Sequence, residues 1–485
     1  MHNSRIILAT ITARYAHTAF GLRCLWANLG AFQRETEIRE FHLKQAPLDI
    51  AERLLAAAPE ILGVGAYIWN VDRVTQVVQA IKGVRPEIVV VIGGPEASHE
   101  YEGTPLFEAA DYLVRGEGEA AFAALVRDLA AGTPPKSKMI EGGRPDLADL
   151  VPPYDAYTDE DLQHRLIYVE GSRGCPFHCE FCLSSLEPCV REFPLEPFLD
   201  ALDKLIARGT RNLLFVDRTF NLRPSRVREV LHFLKPRWRE GLRLHFEIVP
   251  DCLTDEMLDL IAEFPPGALH LELGVQTFNP AVQEAISRRQ NLEKTVSNFR
   301  FLRTRTGALL HADLIIGLPG EDERSFAEGF DRLVGLAPHE IQAGVLKRLK
   351  GTPIQRHAGP HAMVFAAHPP YEILQTDCLC FGEAQRLKRF ARYLDLYYNT
   401  GHFPKSLDLL WRLGPSPFGV FMGLTEHLWA ACGRTHEIPL AQLARHLYEY
   451  LLDHGLDEAE AAAAIRDDFR DRPGRSDKLE FLPRP

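Results

Sequence analysis

The sequence predicts an α/β protein in which a doubly wound parallel sheet is followed by a partial (β/α)6 barrel and then by a mostly helical region. Its 485 residues exceed the size of one ordinary hydrophobic core. Between residues 5 and 130, short apolar runs alternate with helical patterns. From residue 166 to about 349, strand-like runs recur every 30 to 45 residues, which is the spacing of repeated βα units.

The composition is that of a globular protein without a membrane span. Hydrophobic residues make up 46% and charged residues 25%, and no apolar stretch reaches the roughly 18 residues that cross a bilayer. The formal charge of −11 argues against broad binding to nucleic acid. The first residues suit a buried strand better than a secretory signal. We therefore expect a cytoplasmic protein that acts on a small molecule or a peptide, with no nucleic-acid or membrane partner.

The first domain, residues 1–135, should present a ligand site at one edge of its sheet. Its strand-like runs end in segments rich in glycine and in small or aromatic residues, at 63–70, 93–98 and 115–122. Sheets of this kind bind ligands at the carboxyl ends of their strands. Because glycine allows close approach to the backbone, the pattern predicts a flat ligand at this edge.

Residues 136–165 are rich in proline and glycine, lack a sustained period and are predicted to be a linker. Residues 166–350 contain six strand-like runs, which predict the partial barrel. In parallel barrels the functional residues lie at the carboxyl ends of the strands. Residues 351–485 carry amphipathic stretches and are predicted to form a helical domain, to which no pattern assigns a role.

The strongest motif is GSRGCPFHCEFCLSS at 171–185, where Cys175, Cys179 and Cys182 follow a predicted strand with C-x-x-x-C-x-x-C spacing. Thiolates hold iron–sulfur clusters, and three ligands for four irons leave one iron open for a substrate or cosubstrate. The alternative is a zinc knuckle or structural cluster with Cys189 as fourth ligand. It is less favoured, because zinc sites usually contain two close cysteine pairs.

At these residues the chain resembles the radical S-adenosylmethionine (radical SAM) superfamily, whose motif has this spacing and an aromatic residue, here Phe181, before the last cysteine. The resemblance implies a [4Fe–4S] cluster on the three cysteines, with SAM chelated at the open iron. It also implies reductive cleavage of SAM to a 5′-deoxyadenosyl radical, with electrons from a donor such as flavodoxin or ferredoxin.

Further segments resemble the SAM-binding strands of that superfamily, namely LHFEIVPD, LELGVQTFNPAVQEAISRRQ and HADLIIGLPGE. A carboxylate accepts hydrogen bonds from ribose hydroxyls, and an arginine can face the SAM carboxylate, although Arg289 is an equal neighbour of Arg288. One usual glycine-rich SAM motif is replaced by FVDRTFN, where Asp217 and Thr219 either serve SAM or face the substrate. The implied SAM site comprises Phe181, Asp217, Glu247, Gln276, Arg288 and Asp313.

A Rossmann-like sheet joined by a proline-rich linker to such a barrel is similar to the cobalamin-binding subgroup of the superfamily. Tyr67 or Trp69 would lie beneath the cobalt, or would be ordinary core aromatics, since no D-x-H-x-x-G motif supplies a histidine ligand. Tyr15 and His17 would approach the ligand, although a lone histidine more often has a structural partner. The loops that would embrace the corrin contain Gly93, Gly94, Pro95, Glu96, Gly116, Glu117 and Gly118.

The resemblance implies an enzyme that uses a [4Fe–4S] cluster, SAM and cobalamin to methylate an unactivated carbon of a small molecule or peptide. Two alternatives stay open at this point. The first keeps the cofactors but performs cyclisation, oxidation or rearrangement without methyl transfer. The second is a non-catalytic iron–sulfur redox or binding protein. The carboxyl-terminal region is similar to an uncharacterised domain attached to some cobalamin-dependent radical SAM proteins.

Overall fold

A computed structural model describes residues 5–470 and 479–483 of the chain. Its first part alternates strands with helices, as the alternating apolar patterns predict. The elements are β1 (Ile6–Thr12), α1 (Phe20–Ala27), β2 (Thr36–His42), α2 (Pro47–Ala56), β3 (Ile61–Gly65), α3 (Val71–Val84), β4 (Val89–Gly93), α4 (Pro95–Ser98), α5 (Pro105–Ala109), β5 (Tyr112–Arg115), α6 (Glu119–Ala130) and β6 (Met139–Glu141).

These strands form a parallel sheet in the order β2-β1-β3-β4-β5-β6. Apolar side chains cover both faces, with Ile7 and Val64 packed on one side and Leu8 and Phe122 on the other. Strands buried on both faces read as continuous apolar runs, which explains the sequence pattern. The predicted doubly wound sheet is therefore confirmed.

Part of the segment predicted as a linker, 136–165, is folded. Strand β6 pairs with β5 in register Val114↔Ile140. A short helix, α7 (Asp159–His164), follows and begins with a capping box at Thr158. The domain boundaries drawn from the sequence stay predictions, and the fold places one edge strand inside the predicted linker.

The second sheet is parallel, with its strands in the order β14-β13-β12-β11-β10-β7. Side chains of β12 alternate, so that Leu271 and Leu273 are buried in the barrel's apolar core while His270 and Glu272 are less buried. The six-stranded partial barrel is confirmed, with the elements β7 (Ile167–Val169), β8 (Ser172–Arg173), β9 (Arg191–Glu192), α8 (Leu195–Ala207), β10 (Asn212–Phe215), α9 (Pro224–Leu234), β11 (Arg243–Ile248), α10 (Asp255–Ala262), β12 (Leu269–Gln276), α11 (Pro280–Ala285), α12 (Leu292–Arg305), β13 (Leu309–Ile316), α13 (Glu323–Val334) and β14 (Glu340–Val345).

The last part of the described chain is mostly helical, as predicted. Its core is continuous with that of the barrel, since the Phe390 ring lies 4.9 Å from both Phe330 of α13 and Phe418. Residues 471–478 and 484–485 of the predicted helical region lie outside the described residues. The elements are β15 (Val364–Phe365), β16 (Ile373–Gln375), α14 (Phe381–Leu394), α15 (Pro404–Trp411), α16 (Pro417–Cys432), α17 (Leu440–Asp453) and α18 (Glu458–Arg470).

Among the described residues, every helix is too short or too polar to pass through a bilayer.

Candidate active site

The three motif cysteines line one cavity of about 160 Å³ at the carboxyl ends of the barrel strands. Cys175 and Cys179 are buried, Cys182 is half-buried, and the Cys182 N–H donates to the Cys179 carbonyl at 3.0 Å. Burial raises the pKa of the Cys175 thiol to about 11. Such a thiol needs a metal to stay deprotonated, because a bound cation inverts this effect and ionises coordinating thiols. The convergent thiols therefore fit a metal cluster.

Cys189, the fourth ligand in the zinc alternative, is exposed and is not among the residues that line this cavity. Its backbone carbonyl instead lies so close to Gly174 that a side chain there would have no room. The geometry thus favours three cysteine ligands and an open coordination position.

A buried carboxylate anchors the cysteine loop from within the motif. Glu180 accepts a hydrogen bond from the Ser287 hydroxyl at 2.6 Å and lies 2.8 Å from His357 Nε2. It also pairs with Arg356. Sequence reasoning missed Glu180, because its partners lie more than one hundred residues away along the chain. These contacts fix the loop against the turn after α11 and against the segment that follows the barrel.

The residues predicted to surround SAM meet in the same cavity, with the exception of Asp217. The strand ends bring in Glu247 from β11, Gln276 from β12 and Asp313 from β13, and Phe181 and Arg288 complete this set. Five of the six residues predicted to bind SAM thus line one cavity in the structure. Their roles toward SAM stay predictions.

The Glu247 carboxylate forms an ion pair with Arg218 at 2.7 Å. Burial raises the pKa of Glu247 to about 7, and the Arg218 charge partly offsets that effect. Arg218 itself lines the cavity but was not predicted from the sequence. A carboxylate and a guanidinium held side by side can bind hydroxyl and carboxylate groups of one ligand.

Arg288 connects the cysteine loop to strand β12. One guanidinium nitrogen lies 3.5 Å from Cys179 Sγ and another donates to the Gly274 carbonyl at 2.5 Å. Arg289 lines the cavity as well, so both arginines remain candidates for an anionic group. Gln276 has a φ of +71°, at a point where the pairing of β12 with β13 shifts register. Such strained backbone is concentrated at functional sites.

The structure gives Asp217 a different position from the predicted one. It does not line the cysteine cavity. Its buried carboxylate accepts hydrogen bonds from the Gly171 N–H at 2.9 Å and from the Ser172 hydroxyl at 2.6 Å. Asp217 therefore holds the backbone that leads into the cysteine loop, and the next residue, Arg218, faces the cavity. Thr219 lies on the cavity wall.

A second cavity, of about 280 Å³, lies at the carboxyl ends of β3, β4 and β5. Seven of its lining residues are glycines, which leave backbone open to the cavity between apolar side chains. At Gly94, φ is +98° and a Cβ atom would lie 2.6 Å from the Ala66 carbonyl oxygen, so only glycine fits there. This glycine-rich wall fits a large flat ligand held by main-chain groups. The predicted cobalamin residues that line it are Tyr67, Gly93, Gly94, Gly116, Glu117 and Gly118.

Two predicted aromatics differ in position. Tyr67 lines the second cavity, whereas Trp69 is not among its lining residues. The Trp69 ring stacks on Tyr67 at 4.6 Å between centroids and donates to the Ile11 carbonyl at 3.1 Å. Tyr67 is therefore the aromatic residue that lines this cavity, and the exposed Trp69 ring stacks on it.

Tyr15 and His17 do not line the second cavity. Tyr15 is exposed and donates to the Glu160 carboxylate at 2.8 Å. His17 Nδ1 lies 2.6 Å from the Tyr168 hydroxyl, and burial lowers the pKa of His17. Both side chains join the first sheet to the segment that enters the barrel. His17 therefore has a structural partner, the Tyr168 hydroxyl, as a lone histidine usually does.

Pro95 and Glu96 also lie outside the lining of that cavity. Pro95 begins helix α4. The buried Glu96 carboxylate accepts a hydrogen bond from the Tyr371 hydroxyl at 3.1 Å and lies 3.3 Å from Lys350 Nζ. Glu96 thus fastens the first domain to residues beyond the barrel.

A buried ion-pair network lies in the wall of the second cavity, next to the segment that leads into the cysteine loop. Arg173 donates to Glu117 at 2.7 Å, to Glu119 at 2.6 Å and to Glu170 at 3.0 Å. Burial raises the pKa of Glu170 to about 7. Arg173 lines the second cavity and Cys175 the first. Two residues of chain span at most about 7 Å, so the cavities are neighbours.

Comparison with known proteins agrees with this arrangement. Residues 6–126 match the B12 binding domain, 169–333 the radical SAM superfamily, and 359–477 a protein family of unknown function, DUF4080. Over 325 residues the chain is 28% identical to the cobalamin-dependent radical SAM methyltransferase TokK of Streptomyces tokunonensis. It is 27% identical to the 2-(S-pantetheinyl)-carbapenam-3-carboxylate methyltransferase of Streptantibioticus cattleyicolor. Each match covers 58% of this chain but only 46% of the relative.

Solved structures share the fold. The methyltransferase TsrM from Kitasatospora setae, with cobalamin and a [4Fe–4S] cluster bound, superposes with a TM-score of 0.57 at 18% identity, covering 79% of this chain and 85% of that one. The cobalamin-dependent SAM radical enzyme OxsB superposes with a TM-score of 0.62 at 14% identity, covering 96% of this chain and 83% of that one.

The fold and its cysteine loop define a radical SAM protein with an additional amino-terminal sheet. Residues 169–333 form a radical SAM domain, with a B12-binding domain before it and a DUF4080 domain after it.

Proposed function

We propose that this chain is a cobalamin-dependent radical SAM enzyme that methylates an unactivated carbon of a small molecule or peptide. The observation that carries the proposal is the adjacency of the two cavities, one lined by the three cysteines and the other walled by glycines. Arg173 and Cys175, two residues apart, belong to different cavities. A reaction that needs both cofactors on one substrate requires such adjacency.

When bound, a [4Fe–4S] cluster with SAM supplies a 5′-deoxyadenosyl radical that removes a hydrogen atom, and cobalamin supplies the methyl group. Cys175, Cys179 and Cys182 hold the cluster. Glu247 accepts hydrogen bonds from the ribose hydroxyls of SAM, and Arg288 faces its carboxylate. The protein contributes binding, orientation and exclusion of water, as is usual where cofactors perform the bond-making.

The glycine-walled cavity would hold the corrin, and its exposed main-chain N–H and C=O groups could bond the corrin amides. Tyr67 contributes an aromatic face there, with Trp69 stacked behind it. The Glu117–Arg173 pair would hold the wall of this cavity against the segment that leads into the cysteine loop. This arrangement supports a position for the corrin beside SAM.

The names of TokK and the carbapenam-carboxylate relative, both methyltransferases, support methyl transfer over the two alternatives that the sequence leaves open. An electron donor such as flavodoxin or ferredoxin would reduce the cluster.

Partial reactions test the proposal without knowledge of the substrate. We would reconstitute the protein anaerobically with iron, sulfide and cobalamin and supply a strong reductant and SAM labelled in its methyl group. Labelled methylcobalamin and 5′-deoxyadenosine are the expected products. The Cys179→Ala variant should form no deoxyadenosine, whereas Cys189→Ala, the matched control, should form it as the wild type does. Failure of the wild type to form either product would overturn the proposal.

A further inference from the structure

Two antiparallel neighbours in the last domain, α16 and α17, bring three metal-ligating side chains together. His427 lies on α16, and His446 and Glu449 lie three residues apart on α17. Residues spaced i and i+3 share one face of a helix, so His446 and Glu449 point the same way. One ligating atom of each of the three residues lies within 4.8 Å of the others.

Each of the two imidazoles has one buried nitrogen without a hydrogen bond in the described part of the chain. His427 Nε2 and His446 Nδ1 are both shielded from solvent, and neither has a hydrogen-bond partner among the described residues. Leaving such a group unsatisfied destabilises the fold. Two of them beside one carboxylate therefore indicate a ligand between them.

The surrounding contacts orient the ligands as partners of a bound metal do. Glu449 Oε1 accepts a hydrogen bond from Arg445 Nε at 2.7 Å, while Oε2 lies 3.5 Å from His446 Nδ1. On the opposite edge of the His446 ring, Nε2 lies 3.5 Å from both the side-chain nitrogen of Gln442 and Cys432 Sγ. Metal-bound histidines usually donate their second N–H to such an acceptor, which fixes the tautomer.

We propose that His427 Nε2, His446 Nδ1 and Glu449 bind a divalent transition-metal ion, most simply Zn²⁺, in the DUF4080 domain. Two imidazoles and a carboxylate are suited to zinc rather than to Mg²⁺ or Ca²⁺, which prefer oxygen ligands. Three protein ligands leave a fourth position for water or another ligand. Because the ligands come from two helices, the ion also joins α16 to α17. The inference does not depend on the proposed methyl transfer.

The test uses the full chain with its iron–sulfur cluster already loaded, so that the three motif cysteines do not compete for zinc. Zinc bound after titration and removal of excess ion is measured for wild type, His427→Ala, His446→Ala and the control His436→Ala. His436 is an exposed histidine of the same domain outside the cluster. Wild type and His436→Ala should each bind one more equivalent than the other two variants, and circular dichroism without zinc shows whether all four fold.

X-ray absorption at the zinc edge gives the second readout. The proposal predicts nitrogen and oxygen ligands at about 2.0–2.2 Å and no sulfur at about 2.3 Å. Equal zinc content in wild type and His446→Ala would overturn the site. Sulfur ligation of the zinc ion that wild type binds and His446→Ala does not would overturn it as well. Either result would leave the test with labelled SAM unaffected.

Discussion

Arg173 donates a hydrogen bond to Glu117 at 2.7 Å, and this contact joins the barrel to the loop that follows β5 of the first sheet. Both side chains are nearly buried. Arg173 stands two residues before Cys175, so the pair ties the wall of one cavity to the loop that forms the other. The relative position of the two cavities therefore depends on this buried pair.

Replacing Arg173 by alanine should destabilise the fold and lower corrinoid occupancy. The change leaves Glu117, Glu119 and Glu170 without their common partner, and breaking a buried ion pair costs about 3–5 kcal/mol. Urea unfolding measures the free energy of unfolding of each variant. The control is Arg115→Ala, whose pair with Glu141 is largely exposed and contributes at most about 1 kcal/mol. Equal losses of unfolding free energy in Arg173→Ala and Arg115→Ala would show that the buried network does not stabilise the fold.

Gly94→Ala should reduce corrinoid binding more than a matched glycine substitution. Its Cβ would lie 2.6 Å from the Ala66 carbonyl oxygen, so the loop after β4 must shift. Gly103→Ala is the control, because Gly103 also has a positive φ, of +70°, but has open space around it. The measurement is the corrinoid bound per chain after reconstitution. Retention of corrinoid by Gly94→Ala at the level of Gly103→Ala would show that this loop does not contact the ligand.

Glu247→Gln should weaken SAM binding about tenfold, since hydrogen bonds to a charged group contribute about 1.5–3 kcal/mol. Because burial raises the pKa of Glu247 to about 7, the carboxylate becomes protonated below that pH and loses strength as an acceptor. Wild-type affinity for SAM should therefore fall between pH 8 and pH 6 more steeply than that of Glu247→Gln. Calorimetric titration at three pH values checks this.

The control for that series is Glu256→Gln, an exposed glutamate paired with Arg228 outside the cavity. It should keep wild-type affinity and pH dependence. A flat wild-type profile, or the same profile in Glu247→Gln, would rule out Glu247 as the titrating acceptor.

The buried Glu170 gives the stability a specific pH dependence. Burial raises its folded pKa from 4.5 to about 7. Between these values the unfolded chain has released the proton while the folded chain still holds it, so this residue's contribution to stability falls as pH rises. Glu170→Gln removes the titration. The stability of wild type minus that of the variant should therefore decrease from pH 5 to pH 7, as measured by urea unfolding. A difference that increases over this range would contradict the assignment.

The sequence predicted the features that depend on local pattern. Apolar alternation and spacing gave the two parallel sheets, and the glycines after β4 and β5 marked the second cavity. Glu247 and Asp313 were assigned to the SAM site because their segments resemble radical SAM strands, and they meet in the cysteine cavity because parallel strands end at one edge of a barrel.

The remaining features depend on distant contacts. Asp217 and Arg218 are adjacent in the segment that follows β10, and only their contacts with distant residues place Arg218, rather than Asp217, on the cavity. Glu96 was assigned to the corrin because it follows a Gly-Gly turn. Its partners Lys350 and Tyr371 lie about 250 residues or more away along the chain, and no local pattern indicates them.

We propose that one chain holds a SAM-binding iron–sulfur cluster beside cobalamin. The most direct test is electron paramagnetic resonance of the anaerobically reconstituted, reduced protein with and without SAM, together with iron and corrinoid contents. We predict about four irons and one corrinoid per chain, and a cluster spectrum that changes when SAM is added. A cluster spectrum indifferent to SAM, or zinc in place of iron on the three cysteines, would contradict the account.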